Sequence, residues 1–284
     1  PAFKVPTWTQ DAVYYFIFPE RYRNGNLSND PQVGQRKYQS HNIEVHSKWL
    51  EKPYKPGTGD GSDAHYNNDF FGGDLEGIIQ KLDDIKDLGA NAIYMTPVFK
   101  AASNHKYDTA DFHEIDPAFG TNADFKRLTQ EAAKRGIRVI PDASLNHVGA
   151  DSRYFDRFGN FQSEELGAFA NNRIQAQSPY ASWFTLDASQ TDPDKQFKGW
   201  VGVTDLPELD KWKMNDLGCD FIYSGANPIP FMLPNGMKEI QNYSVWKTVG
   251  DQLNKFPLFQ IPEYQYSPKV HQELNFLSVS TENI

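Results

Sequence analysis

The stretch "GIRVIPDASLNHVG" (136–149) joins a helix stop to a short apolar run and then to a polar loop. The run at 137–142 is rich in β-branched residues and is typical of a buried strand. The segment before it, "TNADFKRLTQEAAKRG" (121–136), starts with a capping threonine and has apolar residues at helical spacing. A helix followed directly by a buried strand predicts one half of a strand–helix–strand unit.

The same pattern extends in both directions along the chain. Before the stretch, we predict a strand, a helix capped by Asp74 and stopped by Gly89, and a second strand, at 12–19, 74–89 and 90–99. After it, we predict a strand, a helix and two strands, at 218–225, 238–256, 257–263 and 273–279. Strands joined by helices form parallel sheets, so the fold class is α/β.

Two segments interrupt this alternation. Residues 24–68 are rich in Asn, Asp, Gly, Ser and Pro and are predicted to form a long polar loop. Residues 148–205 are polar and aromatic without a clear period, and we predict an inserted subdomain on the loop after the third strand. The whole chain, 1–284, is predicted to be one domain around a single sheet.

Composition excludes several classes of protein. The net charge of −9 gives no basic surface for nucleic acid. The one cysteine, Cys219, excludes an internal disulfide and a zinc site built on cysteines, and its apolar surroundings indicate a core residue. We find no apolar run long enough to span a membrane, which takes about 18 residues. The first ten residues lack the apolar segment of a signal peptide, and the compartment stays open.

Polar side chains follow the predicted strands where each of them ends. The third strand ends in Asp142, the fourth in Tyr223, Ser224 and Gly225, and the fifth in Glu263. Ligands of such sheets bind at the carboxyl ends of the strands. Acids and tyrosines there suit a polyhydroxylated ligand such as a sugar, and they equally suit several hydrolytic reactions. Two carboxylates across this rim are the minimum for glycoside hydrolysis.

Five segments resemble the catalytic domain of the α-amylase clan: "VYYFIFPERYRNGNLSND", "FFGGDLEGI", "LGANAIYMTPVFKAASNHKYDTADFHEIDPAFG", "GIRVIPDASLNHVG" and "LPELD". They are most similar to the neopullulanase, cyclomaltodextrinase and maltogenic amylase group. The match is dense from 11 to 149, patchy to 210 and thin beyond. The resemblance implies a (β/α)8 barrel of the TIM type with a small domain on its third βα loop. It also implies retaining hydrolysis or transfer at α-glucosidic bonds, with α-glucan oligosaccharides of starch, cyclodextrin or pullulan type as partners.

The resemblance assigns the residues that contact the reacting sugar. Asp142 and His147 match the family's first signature, and Tyr107, flanked by His105 and Asp108, matches the tyrosine that stacks on that sugar. His147 could donate a hydrogen bond to a sugar hydroxyl. The alternatives are a structural histidine at 147 and a solvated loop tyrosine at 107.

The resemblance also implies a calcium site in the segments "NGNLSND" and "GGD". The matching ligands are all oxygen donors: Asn24, Asn26, Asn29, Asp30, the carbonyl of Gly72, and Asp74. Relatives usually have an aspartate at the position of Asn26, so the predicted site has lost a negative charge and should bind calcium more weakly. An Asx-rich turn without a metal is the alternative.

The catalytic signatures are incomplete. Glu263 matches the position of the general acid/base, although Pro262 precedes it where the family has glycine. Gly225 stands at the position of the nucleophile and Tyr223 at that of its partner arginine, and the Asn-His-Asp signature is missing. Hydrolysis is therefore predicted to be weakened or lost, and the alternatives are a glucan-binding protein without catalysis and a nonfunctional remnant.

The number of predicted strands is small for a closed barrel. Five or six strands would leave open edges, which proteins normally protect. We therefore expect one of four explanations for the missing strands. The remaining strand–helix units are very compact, an oligomer completes the sheet, a C-terminal portion is missing, or the chain is rearranged.

Overall fold

The computed structural model of the protein describes residues 7–161 and 165–210 and the two strands within 221–230. The strands are β1 Tyr14–Ile17, β2 Lys37–Tyr38, β3 His41–Asn42, β4 Glu44–Val45, β5 Asp69–Phe70, β6 Ala92–Met95, β7 Phe99–Ala101, β8 Thr109–Ile115, β9 Arg138–Pro141, β10 Gly199–Trp200, β11 Val203–Pro207, β12 Phe221–Ser224 and β13 Asn227–Pro230. The α-helices are α1 Leu75–Gln80, α2 Leu82–Asp87 and α3 Asn122–Lys134.

The central element is a parallel sheet of three strands in the order β1-β6-β9. Helices α1 and α2 connect β1 to β6 after the long polar loop, and α3 precedes β9. The predicted class, parallel strands with helical connections, is therefore confirmed for this part of the chain. Within the described residues the sheet does not close into a barrel.

The helix boundaries follow the local sequence signals. The Asp74 side chain accepts a hydrogen bond from the Gly77 amide at 2.6 Å and so caps α1, as predicted. Thr121 caps α3 in a capping box, and Gly136 beyond its end adopts the left-handed φ of +74° that favours glycine. The predicted helix at 74–89 is in fact two helices, because Lys81 leaves helical geometry at φ −111° and ψ 6°.

One face of the sheet packs against the three helices and forms the main core. Successive side chains of a strand point to opposite faces, so alternate residues of β1, β6 and β9 enter this core. Its fully buried members include Ile17, Ile93, Met95, Ile78, Leu82, Phe125 and Leu128. The opposite face carries Phe16 and Tyr94, whose rings lie 5.7 Å apart. This second face leads to the candidate site.

An antiparallel hairpin, β7 paired with β8, follows the second strand of the sheet. The sequence did not indicate it, because β7 has only three residues and its pairing shifts register at two points. The connection between its strands, residues 102–108, carries most of the predicted sugar-binding residues. The hairpin therefore sets where that connection lies against the sheet.

The predicted insertion contains an apolar cluster of its own. Its buried members are Val148, Ala150, Tyr154, Phe155, Ala168, Phe169, Tyr180, Phe184, Phe197 and Leu209. The cluster reaches Leu209, four residues beyond the predicted end of the insertion, and the hairpin β10–β11 lies within the same segment. That this segment is a separate subdomain stays a prediction.

Two sequence predictions differ from the structure. The polar loop at 24–68 contains the short strands β2, β3 and β4, and β4 pairs in parallel with β5. A strand, Phe221–Ser224, does lie within the predicted fourth strand at 218–225, but its described partner is a hairpin strand, and its place in the parallel sheet stays a prediction. Residues Phe221–Ser224 pair antiparallel with Asn227–Pro230, because the two strands are separated by only two residues, a spacing typical of a hairpin.

The remaining predictions of secondary structure lie outside the described residues. They are the helix at 238–256 and the strands at 257–263 and 273–279. In the part that is described, no helix has the length and apolar character needed to cross a membrane.

Candidate functional site

Asp142 follows β9 directly, on the face of the sheet that carries Tyr94. Its backbone amide bonds to the Met95 carbonyl at 2.8 Å, which continues the β6–β9 pairing by one residue. The hydroxyls of Tyr94 and Tyr107 both donate to Asp142 Oδ2 at 2.8 Å, and the Ala143 amide donates to Oδ1 at 2.8 Å. Two phenols from separate segments therefore fix the position of one carboxylate at the strand end.

Both phenols stay protonated. Burial, together with the hydrogen bond to Asp142, raises the pKa of Tyr107 well above its usual range, and Tyr94 is affected in the same way. Tyr107 is only half-buried, so part of its ring remains open to a ligand. The pair Tyr107–Asp142 thus places a partly open aromatic ring beside a carboxyl group, and such groups suit a ligand with hydroxyls.

His147 is buried behind Tyr107. Its Nε2 lies 3.1 Å from the Tyr107 carbonyl oxygen, and a carbonyl only accepts, so Nε2 carries the proton. Nδ1 is buried with no hydrogen-bond partner among the described residues, and burial lowers the pKa of the ring. The N–H is thus engaged by Tyr107 in this arrangement, and the predicted donation to a sugar hydroxyl stays a prediction.

The connection between β7 and β8 brings His105 and Asp108 beside Tyr107. His105 Nδ1 accepts a hydrogen bond from the Tyr107 amide at 3.1 Å, and burial lowers the pKa of this histidine. The Asp108 carboxylate accepts from the Ser103 hydroxyl and, at 3.1 Å, from the Ser103 amide. Both predicted residues therefore shape the turn around Tyr107, and the structure brings all five predicted sugar-contacting residues together.

A buried ionic cluster lies under this turn and was not indicated by the sequence. Asp116 receives both terminal nitrogens of Arg36 at 2.7 Å and the ammonium of Lys106 at 2.7 Å. The Arg36 and Lys106 cations hold the pKa of the Asp116 carboxyl well below its usual range, against the effect of burial. A lysine in a polar turn is usually exposed, so only the fold shows that Lys106 is fully buried.

Trp200 is a second residue that sequence analysis missed. It ends β10, and its ring stacks on His147 with centroids 4.9 Å apart and planes 27° apart. The tryptophan is 40% exposed, so an aromatic surface from the insertion lies next to the site. Its sequence signal was the high aromatic content of the insertion, which does not distinguish a core residue from a surface one.

The residues of the predicted calcium site also come together. Asn24 donates to Asp30 at 2.7 Å, and a Cβ at Gly72 would lie 2.7 Å from both the Asn24 amide nitrogen and the Asp30 carboxylate. The side-chain oxygens of Asn24 and Asn29 are buried with no hydrogen-bond partner in the described part. Buried oxygens without a donor are suited to a cation, and burial raises the pKa of Asp30, as expected for a carboxylate that lacks a counter-charge.

Two of the predicted calcium ligands are otherwise engaged. The Asp74 carboxylate accepts from the amides of Gly77, Asn26 and Gly25, and Asn26 Oδ1 accepts from Ser28. Among the described residues, no cluster of three or more His, Cys, Asp or Glu side chains is arranged to hold a metal. The residues therefore fit calcium in part, through Asn24, Asn29, Asp30 and the Gly72 segment.

The predicted catalytic positions are not part of the described structure. Glu263 and Gly225 lie outside it, and Tyr223 is described only as a residue of β12. The described geometry thus concerns only the residues that are predicted to contact the sugar.

Comparison with known proteins identifies the family. The model of the family described as alpha amylase, catalytic domain, matches residues 16–258. The chain belongs to the α-amylase family. This α-amylase domain is 38% identical over 253 residues to an amylopullulanase of Thermoanaerobacter thermohydrosulfuricus, which covers 83% of the chain and 16% of that protein. It is 39% identical over 209 residues to a cyclomaltodextrinase of Geobacillus thermopakistaniensis, which covers 73% of the chain and 29% of the relative.

Solved structures agree with this identification. The α-amylase domain resembles a cyclic α-maltosyl-(1→6)-maltose hydrolase of Arthrobacter globiformis in complex with maltose, with a TM-score of 0.60 and 27% identity. That match covers 97% of this chain and 50% of the hydrolase. The α-amylase domain thus spans half or less of these relatives. The resemblance drawn from the sequence motifs is confirmed.

Proposed function

We propose that this α-amylase domain binds α-glucan oligosaccharides at the face formed by Asp142, Tyr107 and His147, and that it hydrolyses them weakly or not at all. The observation that carries the binding role is the Tyr107 hydroxyl held at 2.8 Å on the Asp142 carboxylate. This bond fixes an open aromatic ring and an acceptor for sugar hydroxyls in one place. Preorganised groups lose less entropy on binding than free ones.

The weak-hydrolysis part of the proposal rests on the sequence. A retaining glycosidase needs a carboxylate nucleophile and a second carboxyl group as acid/base. Glu263 could be the acid/base, but the position of the nucleophile is Gly225, which offers no side chain. Without that carboxylate the covalent intermediate cannot form.

Full hydrolysis is the competing function, and family membership favours it. Relatives are named amylopullulanase and cyclomaltodextrinase, and one solved relative is a pullulan hydrolase of Thermococcus kodakarensis. We also propose that the sheet β1-β6-β9 belongs to a (β/α)8 barrel, whose other strands come from the rest of the chain, from further sequence, or from a second copy.

One experiment separates the two functions. The full chain is incubated with β-cyclodextrin, pullulan and maltotriose, and sugar release is compared with that of Glu263→Gln. Binding of β-cyclodextrin is measured by calorimetry on the same samples. We expect binding without release. Sugar release that disappears in Glu263→Gln would instead establish hydrolysis. If the protein neither binds β-cyclodextrin nor releases sugar, both functions are rejected.

Variants at Tyr107 test the binding face directly. Tyr107→Ala removes the ring and is expected to weaken β-cyclodextrin binding at least about tenfold, which corresponds to about 1.4 kcal/mol. Tyr107→Phe keeps the ring and loses only the bond to Asp142, so it should bind more tightly than Tyr107→Ala. Equal affinity of Tyr107→Ala and the wild type would contradict the proposed face.

We further propose a weak calcium site at Asn24, Asn29, Asp30 and Gly72, supported by the two buried amide oxygens without partners. Calcium that binds only the folded state should raise the melting temperature, by an amount equivalent to about 2.7 kcal/mol at a hundredfold excess over Kd. Asp30→Asn is expected to remove most of this increase. An identical melting temperature in calcium and in EDTA would exclude the site.

A further inference from the structure

We infer that Lys106 is a positioning residue for glucan binding, because its buried ammonium holds the turn that presents Tyr107 to Asp142 and to His147. The inference rests on the proposed function, since it assigns to Lys106 a role at the same face. Lys106 itself lies beneath that face and does not contact a ligand there.

The ammonium of Lys106 has two polar partners and lies near two aromatic rings. It lies 2.7 Å from Asp116 Oδ2 and donates to the Ala101 carbonyl at 3.2 Å. The rings of Phe70 and Phe119 lie 5.3 Å and 5.1 Å from it. The side chain is fully buried, and a buried charge persists only when it is paired in this way. Lys106 is therefore an anchor and not a surface residue.

The backbone of Lys106 is strained. Its φ of +65° lies in the left-handed region, which residues with a Cβ adopt at a cost and which clusters at functional sites. The Lys106 amide donates to the Ser103 hydroxyl at 3.0 Å, and this closes the turn. The ammonium contacts thus hold a conformation that the backbone alone disfavours.

The strained residue directly precedes Tyr107 and determines where that residue points. The Tyr107 amide reaches His105 at 3.1 Å, its carbonyl oxygen receives His147 Nε2 at 3.1 Å, and its hydroxyl reaches Asp142. All three contacts require the chain direction set at Lys106. If the turn relaxes, Tyr107 loses its place on both Asp142 and His147.

Asp116, the partner of Lys106, has a second cation bound to it. Asp116 is also bound by both terminal nitrogens of Arg36 at 2.7 Å. When the ammonium is removed, the carboxylate therefore keeps a counter-charge. Lys106→Met, which keeps the length of the apolar stem, should accordingly fold.

The test uses the full chain and compares Lys106→Met with Lys100→Met. Lys100 lies in the same hairpin, and its pair with Glu114 at 3.3 Å is partly exposed, so its loss is a matched control. The first readout is β-cyclodextrin affinity by calorimetry. The second is the NMR resonance of the His147 Nε2 proton, assigned by its absence in His147→Gln. It reports the Tyr107 contact without any ligand.

We expect Lys106→Met to bind β-cyclodextrin at least about tenfold more weakly and to lose the His147 resonance, while Lys100→Met matches the wild type. Lys106→Gly also removes the ammonium but adopts a φ of +65° without strain, so it should keep more of the affinity and of the His147 resonance than Lys106→Met. Wild-type affinity together with an intact His147 resonance in Lys106→Met would overturn the inference. If the wild type binds no glucan, the proposed function fails, and the His147 resonance alone still tests Lys106.

Discussion

Replacing Asp116 with asparagine is expected to lower the free energy of unfolding by about 3–5 kcal/mol, the range found when one partner of a buried ion pair is removed. Asp116 is fully buried and accepts from Arg36, Lys106 and the amides of Ala101 and Ala118. Asparagine carries no charge and turns one of its two acceptor atoms into a donor. The fully buried Lys106 and the partly buried Arg36 would then both lose their paired carboxylate, and at least one N–H group would lose its acceptor.

Chemical denaturation followed by circular dichroism gives this free energy. Glu114→Gln is the matched control, since Glu114 lies near the end of β8, two residues before Asp116, and its side chain is mostly exposed. Its loss should change stability by no more than about 0.5 kcal/mol. If Asp116→Asn lowers the free energy of unfolding by less than about 1 kcal/mol, the ionic cluster contributes little to stability.

The acid dependence of the wild type follows from the same cluster. The pKa of Asp116 is depressed in the folded state, so its ionised form is favoured by folding. This contribution is present above the unfolded pKa of 3.8 and is lost as the pH falls through the lower folded pKa. Asp116→Asn removes this contribution at neutral pH. The loss of stability in the variant and the loss of stability of the wild type in acid therefore have the same cause.

The parts of the fold that the sequence predicted are those with local causes. Thr121 and Gly136 bound α3 through contacts within a few residues, and the apolar runs of β1, β6 and β9 are continuous. The hairpin β7–β8 was not predicted because its pairing is irregular, and the pairing of β12 with β13 was not predicted because strand character does not specify a pairing partner. Local signals identify elements, whereas long-range contacts decide where those elements lie.

The residues of the candidate site likewise fall into those with a local sequence signal and those that depend on long-range contacts. Asp142 was found because it ends a buried strand, and Tyr107 and His147 because their motifs resemble those of the α-amylase family. Lys106 was missed because Arg36, which completes its cluster, is 80 residues away from Asp116 in the chain. Its role depends on burial, and no pattern of charges along a sequence reports burial.

Asp151→Asn is expected to stabilise the protein at neutral pH, in contrast to Asp116→Asn. Asp151 is buried, and this burial, reinforced by the charge of Asp108, raises its pKa from 3.8 to about 6. A carboxyl group with a raised pKa is unfavourable to folding when it is ionised. A difference of about two pKa units corresponds to about 3 kcal/mol, which is an upper limit for the gain. Asparagine carries no charge and keeps an oxygen that can accept from Asn160 at 2.8 Å, while the loss of its second acceptor oxygen weakens the hydrogen bonding with the Gln39 backbone and keeps the gain below this limit.

The stabilisation by Asp151→Asn is expected to depend on pH. Below about pH 4 the wild-type Asp151 is protonated in both states, so the variant and the wild type should be about equally stable. The difference should grow as the pH rises from 3.8 to about 6 and then stay constant. Asp87→Asn, at an exposed position at the end of α2, is the control and should change stability by no more than about 0.5 kcal/mol at any pH. Melting temperatures of the variant and the wild type between about pH 4 and about pH 8 measure this difference. If the difference does not vary with pH, the charge of Asp151 is not its cause, because the cost of ionising Asp151 in the folded state must grow as the pH rises.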